Sequence, residues 1–344
     1  MSVGFVYDPV FLEHETGTHP ENPERLRATM ALLEEAGLVA RLRRIDARDA
    51  TADELALVHD PRYVADLERV ASAGGGWADP DTLIMSRSFD AAVRVVGGTL
   101  AAVDAVVAGD VGSAFCLVRP PGHHASARRA MGFCLLNHVA VAAAYARARH
   151  RVERVAIVDI DVHHGNGTQD AFYGEPGVLY VSTHEYPFYP GTGAASETGA
   201  GAGRGYNINI PMPHRSGDAE HRRAFGEIVV PALRGYRPEL VLVSAGFDGH
   251  FADEIAGQTL SVDGYGALVS MIMAASDELC GGRLVVALEG GYHLVALPWC
   301  VRRTIELLLG EAPTPDPLGV SEARTVARGF EEMLAQVKEL HGLG

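Results

Sequence analysis

The sequence predicts an α/β fold built around a parallel β-sheet, and three features of the 344-residue chain support this prediction. Short apolar runs, mostly β-branched, recur along the chain, and longer segments with helical spacing of apolar residues separate them. Strands that are apolar on both faces are typical of a parallel sheet covered by helices on each side. No internal repeat and no long linker divides the sequence. We therefore expect residues 1–344 to form a single domain.

Predicted strands and helices alternate along most of the chain. The strand predictions are based on apolar runs, which are Val3–Tyr7, Ala114–Val118, Val155–Ile160, Val178–Ser182, Tyr206–Ile210, Leu240–Ser244 and Leu284–Leu288. The helix predictions are based on helical spacing of apolar residues in Ser88–Val107, Asn137–Arg149, Asp218–Gly235, Asp263–Leu279, Val301–Leu309 and Ser321–Leu340. Thr51 and Glu54 have the spacing of a helix capping box and predict one further helix start.

The composition argues against several classes of function. The net charge of −15 disfavours a nucleic-acid partner, since nucleic-acid binding depends on clustered Lys and Arg. We find no apolar stretch of membrane-spanning length and no signal-peptide pattern, and we expect no membrane partner. The four cysteines include no C-x-x-C pair, which disfavours disulfides and a cysteine zinc site. These features predict a cytoplasmic protein, which we expect to act as a single chain or as a homo-oligomer.

Polar, glycine-flanked segments directly follow four of the predicted strands. These segments begin at Arg119, Asp161, Ala245 and Glu289. Ligands of open parallel sheets bind beyond the carboxyl ends of the strands. The sequence therefore predicts that the four segments meet in one site.

One of these segments carries a candidate metal site. Asp159, Asp161 and His163 alternate along an extended chain, so their side chains point the same way. With the distant Asp248, Asp161 and His163 offer two oxygens and one nitrogen. Three protein ligands leave open positions, as catalytic metals require. A divalent metal such as Zn²⁺, Fe²⁺ or Co²⁺ suits this set. The alternative is a His–Asp pair that only satisfies a buried strand end.

Two other segments offer groups for proton transfer and for stabilising charge. His123 and His124 are adjacent, and a base near a metal site can accept the proton of an activated water. Tyr292 follows two glycines and can place a phenol donor where an oxyanion develops. The alternatives are a surface histidine pair and a tyrosine that packs on the core.

Several motifs together carry a family resemblance, and they are HPENPERL, RPPGHHA, MGFCLLN, DIDVHHGNGTQDAFY, VSTHEYPFYPGTG, GRGYNINIP, SAGFDGH and LEGGY. The sequence resembles the histone deacetylase superfamily of zinc amidohydrolases, and most closely its class II-like and bacterial histone-deacetylase-like members. Acetylpolyamine amidohydrolases are related to these proteins. The resemblance implies a three-layer α/β/α fold of the arginase/deacetylase type with a central parallel sheet.

The resemblance also implies roles for the candidate site residues. One Zn²⁺ ion is expected on Asp161, His163 and Asp248. By the same resemblance, the catalytic residues are His124 as base and then acid, His123 as its electrostatic support, Tyr292 as oxyanion donor, Asp159 as partner of His123 and Asn166 as partner of His124.

Further implied residues belong to cation sites and to a substrate tunnel. Two structural K⁺ sites are implied, the first formed by Asp159, Asp161, His163, Ser182 and Thr183 and the second by Phe172, Val178 and Tyr206. The implied tunnel residues are Phe133, Phe188 or Tyr189, Ile255, Gly132 and Gly291. An apolar rim residue at position 255 favours an acyl-lysine over a polyamine, because it offers no carboxylate to an ammonium group.

The sequence therefore predicts a zinc-dependent amidohydrolase that removes acetyl or short acyl groups from lysine-type amines. Its expected substrate is an acetylated lysine peptide or a small acetylated amine. Three alternatives remain: an acetylpolyamine amidohydrolase with the same site, a binuclear ureohydrolase on the same fold, and a catalytically silent acyl-lysine binding protein. The second needs additional bridging carboxylates, and the third needs no base or oxyanion donor.

Overall fold

The computed structural model of the protein describes residues 2–321 and 327–343. The strands of this part of the chain are β1 (Val3–Val6), β2 (Arg43–Ile45), β3 (Gly75–Trp77), β4 (Leu83–Met85), β5 (Ser113–Cys116), β6 (Val155–Asp159), β7 (Val178–Glu185), β8 (Asn207–Met212), β9 (Leu240–Ala245) and β10 (Leu284–Leu288). The helices are α1 (Glu24–Glu35), α2 (Ala52–Leu55), α3 (Pro61–Ser72), α4 (Ser88–Val107), α5 (His138–His150), α6 (Asn166–Phe172), α7 (Asp218–Ala224), α8 (Val230–Tyr236), α9 (Val262–Cys280), α10 (Ala296–Leu308) and α11 (Phe330–His341).

Eight strands form one sheet in the order β2-β1-β5-β10-β9-β6-β7-β8, and every neighbouring pair is parallel. Helix α4 packs on β1, β5 and β10 and contacts α5. Helix α9 packs on β9 and contacts α10, which in turn contacts α1. Every residue of β6, β9 and β10 is buried, as expected for strands covered on both faces. The predicted three-layer α/β/α fold with a central parallel sheet is confirmed.

Most element predictions agree with the structure, and the differences have local causes. The capping box is present, with Thr51 Oγ1 accepting from Glu54 N and the Glu54 carboxylate accepting from Thr51 N. The helix predicted over Asp218–Gly235 is divided into α7 and α8 by a π-helical turn at Phe225–Val229. Pro231 follows this turn at the start of α8, and it has no N–H to continue an α-helical ladder.

The two C-terminal helices have different starts from those predicted. Helix α10 begins at Ala296 rather than Val301, and Pro298 lies in its first turn, where a missing N–H is tolerated. The helix predicted over Ser321–Leu340 begins only at Phe330, after Gly329 at φ +87°. Residues 322–326 of that prediction lie outside the described residues.

Several elements were not predicted from the sequence. The short edge strand β2 carries two exposed arginines and has no apolar run. Strands β3 and β4 form a separate antiparallel pair of three residues each. Helices α1, α3 and α6 were also missed. Among the described helices, none is long and apolar enough to cross a membrane.

Candidate active site

The strand order brings the four polar segments together. Strands β5, β10, β9 and β6 are consecutive neighbours in the sheet. Because all four run parallel, the segments that follow them leave the sheet at the same edge. The predicted meeting of the four segments is therefore present in the structure, at the carboxyl ends of its central strands.

Asp161, His163 and Asp248 form a buried three-residue cluster at this edge. Their ligand atoms all lie within 4.8 Å of one another. His163 Nδ1 lies 3.1 Å from Asp161 Oδ1 and 3.1 Å from Asp248 Oδ2. Each carboxylate also accepts a hydrogen bond from a backbone N–H: Asp161 Oδ2 accepts from Gly290 N, and Asp248 Oδ1 accepts from Val162 N. The ligand atoms thus converge while second hydrogen bonds hold the carboxylates in place.

Two glycines make room for these carboxylates. A Cβ atom on Gly246 or on Gly290 would lie closer than 3.0 Å to Asp161 Oδ2, and one on Gly290 would also crowd Asp248 Oδ2. The backbone of both neighbouring strand exits therefore approaches the acids directly. Two buried oxygens and one imidazole nitrogen with this convergence fit a divalent metal ion of the zinc type.

The paired histidines lie beside this cluster, and each has a different partner. His123 Nδ1 lies 3.1 Å from Asp159 Oδ2, and His124 Nδ1 lies 2.8 Å from Asn166 Oδ1. The two imidazole rings are tilted against each other with centroids 4.0 Å apart. Asp159 Oδ2 also accepts from the hydroxyl of Tyr180 at 3.0 Å. One histidine is thus held by a carboxylate and the other by a neutral amide.

The surroundings of the two histidines give them different charge states. Burial opposes protonation of His123, but the carboxylates of Asp161 and Asp159 outweigh it and raise its pKa to about 10. Burial holds the pKa of His124 well below its usual value, and the neighbouring charges of His123 and His163 lower it further. His124 is therefore neutral near pH 7, as a proton acceptor must be.

Glu289 positions the segment that carries the histidine pair, a role that the sequence analysis missed. Its Oε2 accepts from Gly122 N at 2.6 Å and from His123 N at 3.2 Å. Its Oε1 accepts from Ser244 Oγ at 3.0 Å, which joins the exits of β5, β9 and β10. The sequence feature that could have indicated this role is an acidic residue directly after an apolar strand, because an acid buried there needs hydrogen-bond partners.

A second buried network lies beneath Tyr292. Arg25 is fully buried, and its guanidinium carbon lies 4.9 Å from the centroid of the Tyr292 ring. Arg25 Nε donates to Gly291 O at 2.6 Å, and Arg25 Nη1 donates to Glu21 Oε1 at 3.0 Å. Glu21 also pairs with Arg119 through two bonds of 2.8 Å. Although burial opposes ionisation, Arg119 contributes most to holding the pKa of Glu21 well below its usual range.

His163 of the cluster and His124 of the histidine pair line a cavity of about 190 Å³. Its lining residues are Asp81, His124, Gly132, Phe133, His163, Phe188, Tyr189, Ile255 and Tyr292. Phe188 stacks on the His163 ring at 5.5 Å between centroids, and Tyr189 meets the His124 ring edge-on at 5.1 Å. The structure thus places Phe188 and Tyr189, the two predicted tunnel aromatics of the YPFYPGTG segment, in this wall.

The two predicted tunnel glycines have different positions. Gly132 lines the cavity at φ +57°, and a Cβ atom there would collide with the His124 ring. Gly291 is not part of the cavity lining; it lies behind Tyr292 at φ +113° with its carbonyl bound to Arg25. Burial raises the pKa of Tyr292 well above its usual value, so its hydroxyl remains a hydrogen-bond donor at neutral pH.

The residues implied for potassium lie on neighbouring elements. The first group spans the end of β6 and the middle of β7, where Thr183 Oγ1 lies 3.5 Å from Asp159 O. The second group comprises Phe172 at the end of α6, Val178 at the start of β7 and Tyr206 just before β8. The two K⁺ sites stay predictions.

Comparison with known proteins gives the family. A sequence profile described as the histone deacetylase domain matches residues 19–308. The chain belongs to the histone deacetylase family. It is 41% identical over 302 residues to the histone deacetylase-like amidohydrolase of Pseudomonas aeruginosa, covering 87% of this chain and 80% of the relative. It is 38% identical over 351 residues to "Histone deacetylase 10, chloroplastic" of Oryza sativa subsp. japonica, covering 96% and 79%.

The structural comparison agrees with this membership. The crystal structure of the HDA15 HD domain matches with a TM-score of 0.90 at 37% identity, and the match covers 99% of this chain and 94% of that one. A probable deacetylase of Archaeoglobus fulgidus is 40% identical over 303 residues, covering 87% and 84%. The family predicted from the motifs and its fold are confirmed, and deacetylase or amidohydrolase chemistry is supported for this chain.

Proposed function

We propose that this family member is a zinc-dependent amidohydrolase that removes acetyl or short acyl groups from lysine-type amines, with residues 1–344 as one catalytic domain. The proposal is carried by the presence of His163, His124 and Tyr292 in the lining of one cavity. These residues represent a metal ligand, a proton acceptor and an oxyanion donor. The aromatic side chains of Phe133 and Phe188 in the same lining suit the apolar stem of an extended acyl-lysine.

Asp161, His163 and Asp248 would hold the metal. Their two oxygens and one nitrogen suit Zn²⁺, and three protein ligands leave coordination positions for substrate. A zinc ion supplies Lewis acidity toward the amide carbonyl and the attacking water. Fe²⁺ and Co²⁺ accept the same donors, so the metal that supports activity is part of the test below.

The proton transfers belong to His124 in this proposal. Because His124 Nδ1 is bonded to Asn166 Oδ1, Nδ1 carries the proton and Nε2 has the free lone pair. Nε2 accepts the proton of the attacking water and later delivers it to the amine nitrogen as the C–N bond breaks. His123, held on Asp159, provides positive charge beside the reacting groups. Tyr292 donates a hydrogen bond to the carbonyl oxygen as negative charge develops there.

An acetylpolyamine is the second candidate substrate, and one observation favours it. Asp81 lines the cavity with an acidic side chain, and a carboxylate at that position can attract a second ammonium group. The apolar Ile255 in the same lining favours the acyl-lysine. A binuclear hydrolase fits less well, because two metal ions need additional bridging carboxylates. Within residues 2–321 and 327–343, the potential metal ligands form one group of three residues, Asp161, His163 and Asp248.

The deciding experiment compares two substrates after reconstitution with Zn²⁺, Fe²⁺ or Co²⁺. The substrates are a fluorogenic acetyl-lysine peptide and N-acetylputrescine, and the proteins are the wild type and Tyr292→Phe. Loss of the hydroxyl removes an oxyanion donor and should lower kcat by about 10²–10³-fold. The thermal midpoint should change little, because the aromatic ring remains.

Each outcome has a distinct meaning. Cleavage of the peptide alone supports the proposal, and cleavage of the polyamine alone keeps the chemistry but changes the substrate. A metal-loaded protein that cleaves neither substrate contradicts removal of acetyl groups and favours either a different acyl group or an acyl-lysine binding role. The cytoplasmic location stays a prediction from the sequence.

A further inference from the structure

Asp253 lies outside the catalytic residues described above, yet it contacts two parts of the cavity. Its side chain is 6% exposed. One oxygen, Oδ2, accepts from Tyr292 N at 2.6 Å and from His293 N at 3.0 Å. The other oxygen, Oδ1, accepts from Ile255 N at 3.2 Å. A single carboxylate therefore links the segment that carries the phenol donor to the segment that carries the rim residue.

The peptide bond between Gly291 and Tyr292 is held from both sides. Arg25 Nε donates to its carbonyl oxygen, and Asp253 Oδ2 accepts from its N–H, each at 2.6 Å. Hydrogen bonds to ionised groups are stronger than those between neutral groups. Gly291 has φ +113° and lies between the end of β10 at Leu288 and the start of α10 at Ala296. No helix or strand hydrogen bonds therefore hold the chain at this point. The two charged side chains hold it instead.

We propose that Asp253 is a positioning residue, which fixes the Tyr292 hydroxyl relative to the reacting carbonyl and to the rim at Ile255. An oxyanion donor is effective only when it lies about 2.7–3.1 Å from the developing charge. Without Asp253, two backbone N–H groups at positions 292 and 293 lose their acceptor, and the segment has to move to find another. This inference rests on the proposed function, because it assigns Tyr292 the oxyanion role.

The first test is a double-mutant cycle with Tyr292→Phe. Asp253→Ala removes all three hydrogen bonds, and Asp253→Asn keeps one acceptor oxygen. We expect Asp253→Ala to lower kcat/KM by about 10–100-fold in the wild-type background, since a displacement of about 1 Å can cost about 100-fold. Asp253→Asn should lower kcat/KM by a smaller factor, because one acceptor oxygen remains. In the Tyr292→Phe background the further loss should be below about threefold, because the hydroxyl that Asp253 positions is already absent.

The matched control is Glu254→Gln, which removes the same charge from the exposed neighbouring residue. We expect its kcat/KM to equal that of the wild type. An equal fold loss for Asp253→Ala in both backgrounds would overturn the proposal, since the residue would then act independently of Tyr292. Asp253→Asn decides the question if the alanine variant does not fold.

The second test does not depend on activity. Hydrogen exchange followed by mass spectrometry measures the protection of the amides in residues 289–296. Asp253→Ala should speed exchange in this segment, and Asp253→Asn should speed it less because it keeps one acceptor oxygen, while Glu254→Gln should leave it unchanged. Unchanged exchange in a folded Asp253→Ala variant would refute the positioning role. If the wild type cleaves no acylated amine, the proposed function fails. The hydrogen-exchange measurement still tests whether Asp253 holds the backbone at Tyr292, because it does not depend on activity.

Discussion

His59 provides a prediction whose magnitude follows from its surroundings. The side chain is 1% exposed, with Nδ1 lying 3.0 Å from Ser126 O and Nε2 accepting from Asn137 N at 2.9 Å. Asn137 in turn donates through its side chain toward His123 O at 3.4 Å, so His59 braces the segment that carries the histidine pair. Protonation of Nε2 would remove the acceptor for Asn137 N. Burial accordingly lowers the pKa of His59 to about 4.

The direction of the pH effect follows from this depressed pKa. The unfolded chain takes up a proton near pH 6.5, whereas folded His59 stays neutral until about pH 4. Folding stability from this residue is therefore complete above pH 7 and falls as the pH decreases between these two values. Complete protonation of the unfolded chain at this residue lowers the free energy of unfolding by about 3.4 kcal/mol, and about 1.8 kcal/mol of this decrease occurs between pH 7 and pH 5.

The assay is urea unfolding of the wild type and of His59→Gln at pH 7, 6 and 5. A glutamine amide can donate to Ser126 O and accept from Asn137 N, but it does not titrate. The free energy of unfolding of the wild type should therefore fall by about 1.8 kcal/mol more than that of the variant between pH 7 and pH 5. Parallel pH dependence of the two proteins would refute the reasoning, because it would show that His59 gains no proton on unfolding.

Two further predictions concern the active-site framework. Glu289→Ala leaves Gly122 N and His123 N without their acceptor and should lower the free energy of unfolding by at least about 2 kcal/mol. Glu289→Gln keeps an acceptor oxygen and should lower it less. Denaturant titration measures the free energy of unfolding of both variants. Zinc at 1,000 times its Kd should raise the free energy of unfolding by about 4 kcal/mol, seen as a higher thermal midpoint. Asp248→Ala should abolish this stabilisation, and an undiminished zinc effect in that variant would contradict the assigned ligand set.

The sequence predicted the central part of the fold well because its strands are apolar on both faces. Strand β10 has the predicted bounds, and helix α4 agrees with its prediction from Ser88 to Val107. The edge strand β2 escaped prediction because a strand exposed at the edge of a sheet needs no apolar run. The division of α7 from α8 depends on how the chain accommodates Pro231 after a long helical pattern, which periodicity does not report.

Local spacing also identified much of the candidate site. The alternation of Asp159, Asp161 and His163 predicted three side chains on one side of an extended segment, but β6 ends at Asp159 and residues 161–163 form a bend. Asp161 and His163 nevertheless converge with Asp248, as predicted. Spacing gave no indication that Asp253 contacts Tyr292 or that Glu289 binds the backbone beside His123. In each case the two partners are many residues apart in the chain.

The sequence by itself determined the parallel α/β architecture, the strand ends that carry polar groups and the chemical types of the ligands. These properties depend on residue type and local spacing, which the linear chain contains. The tertiary structure decided the order of the strands and therefore which polar segments are neighbours. It also decided the partners of the buried acids. Glu21 pairs with the side chains of Arg25 and Arg119, whereas Glu289 and Asp253 accept from backbone N–H groups of the segments that carry His123 and Tyr292. The physical reason is that a buried charge must be paired, but packing of distant segments selects its partner.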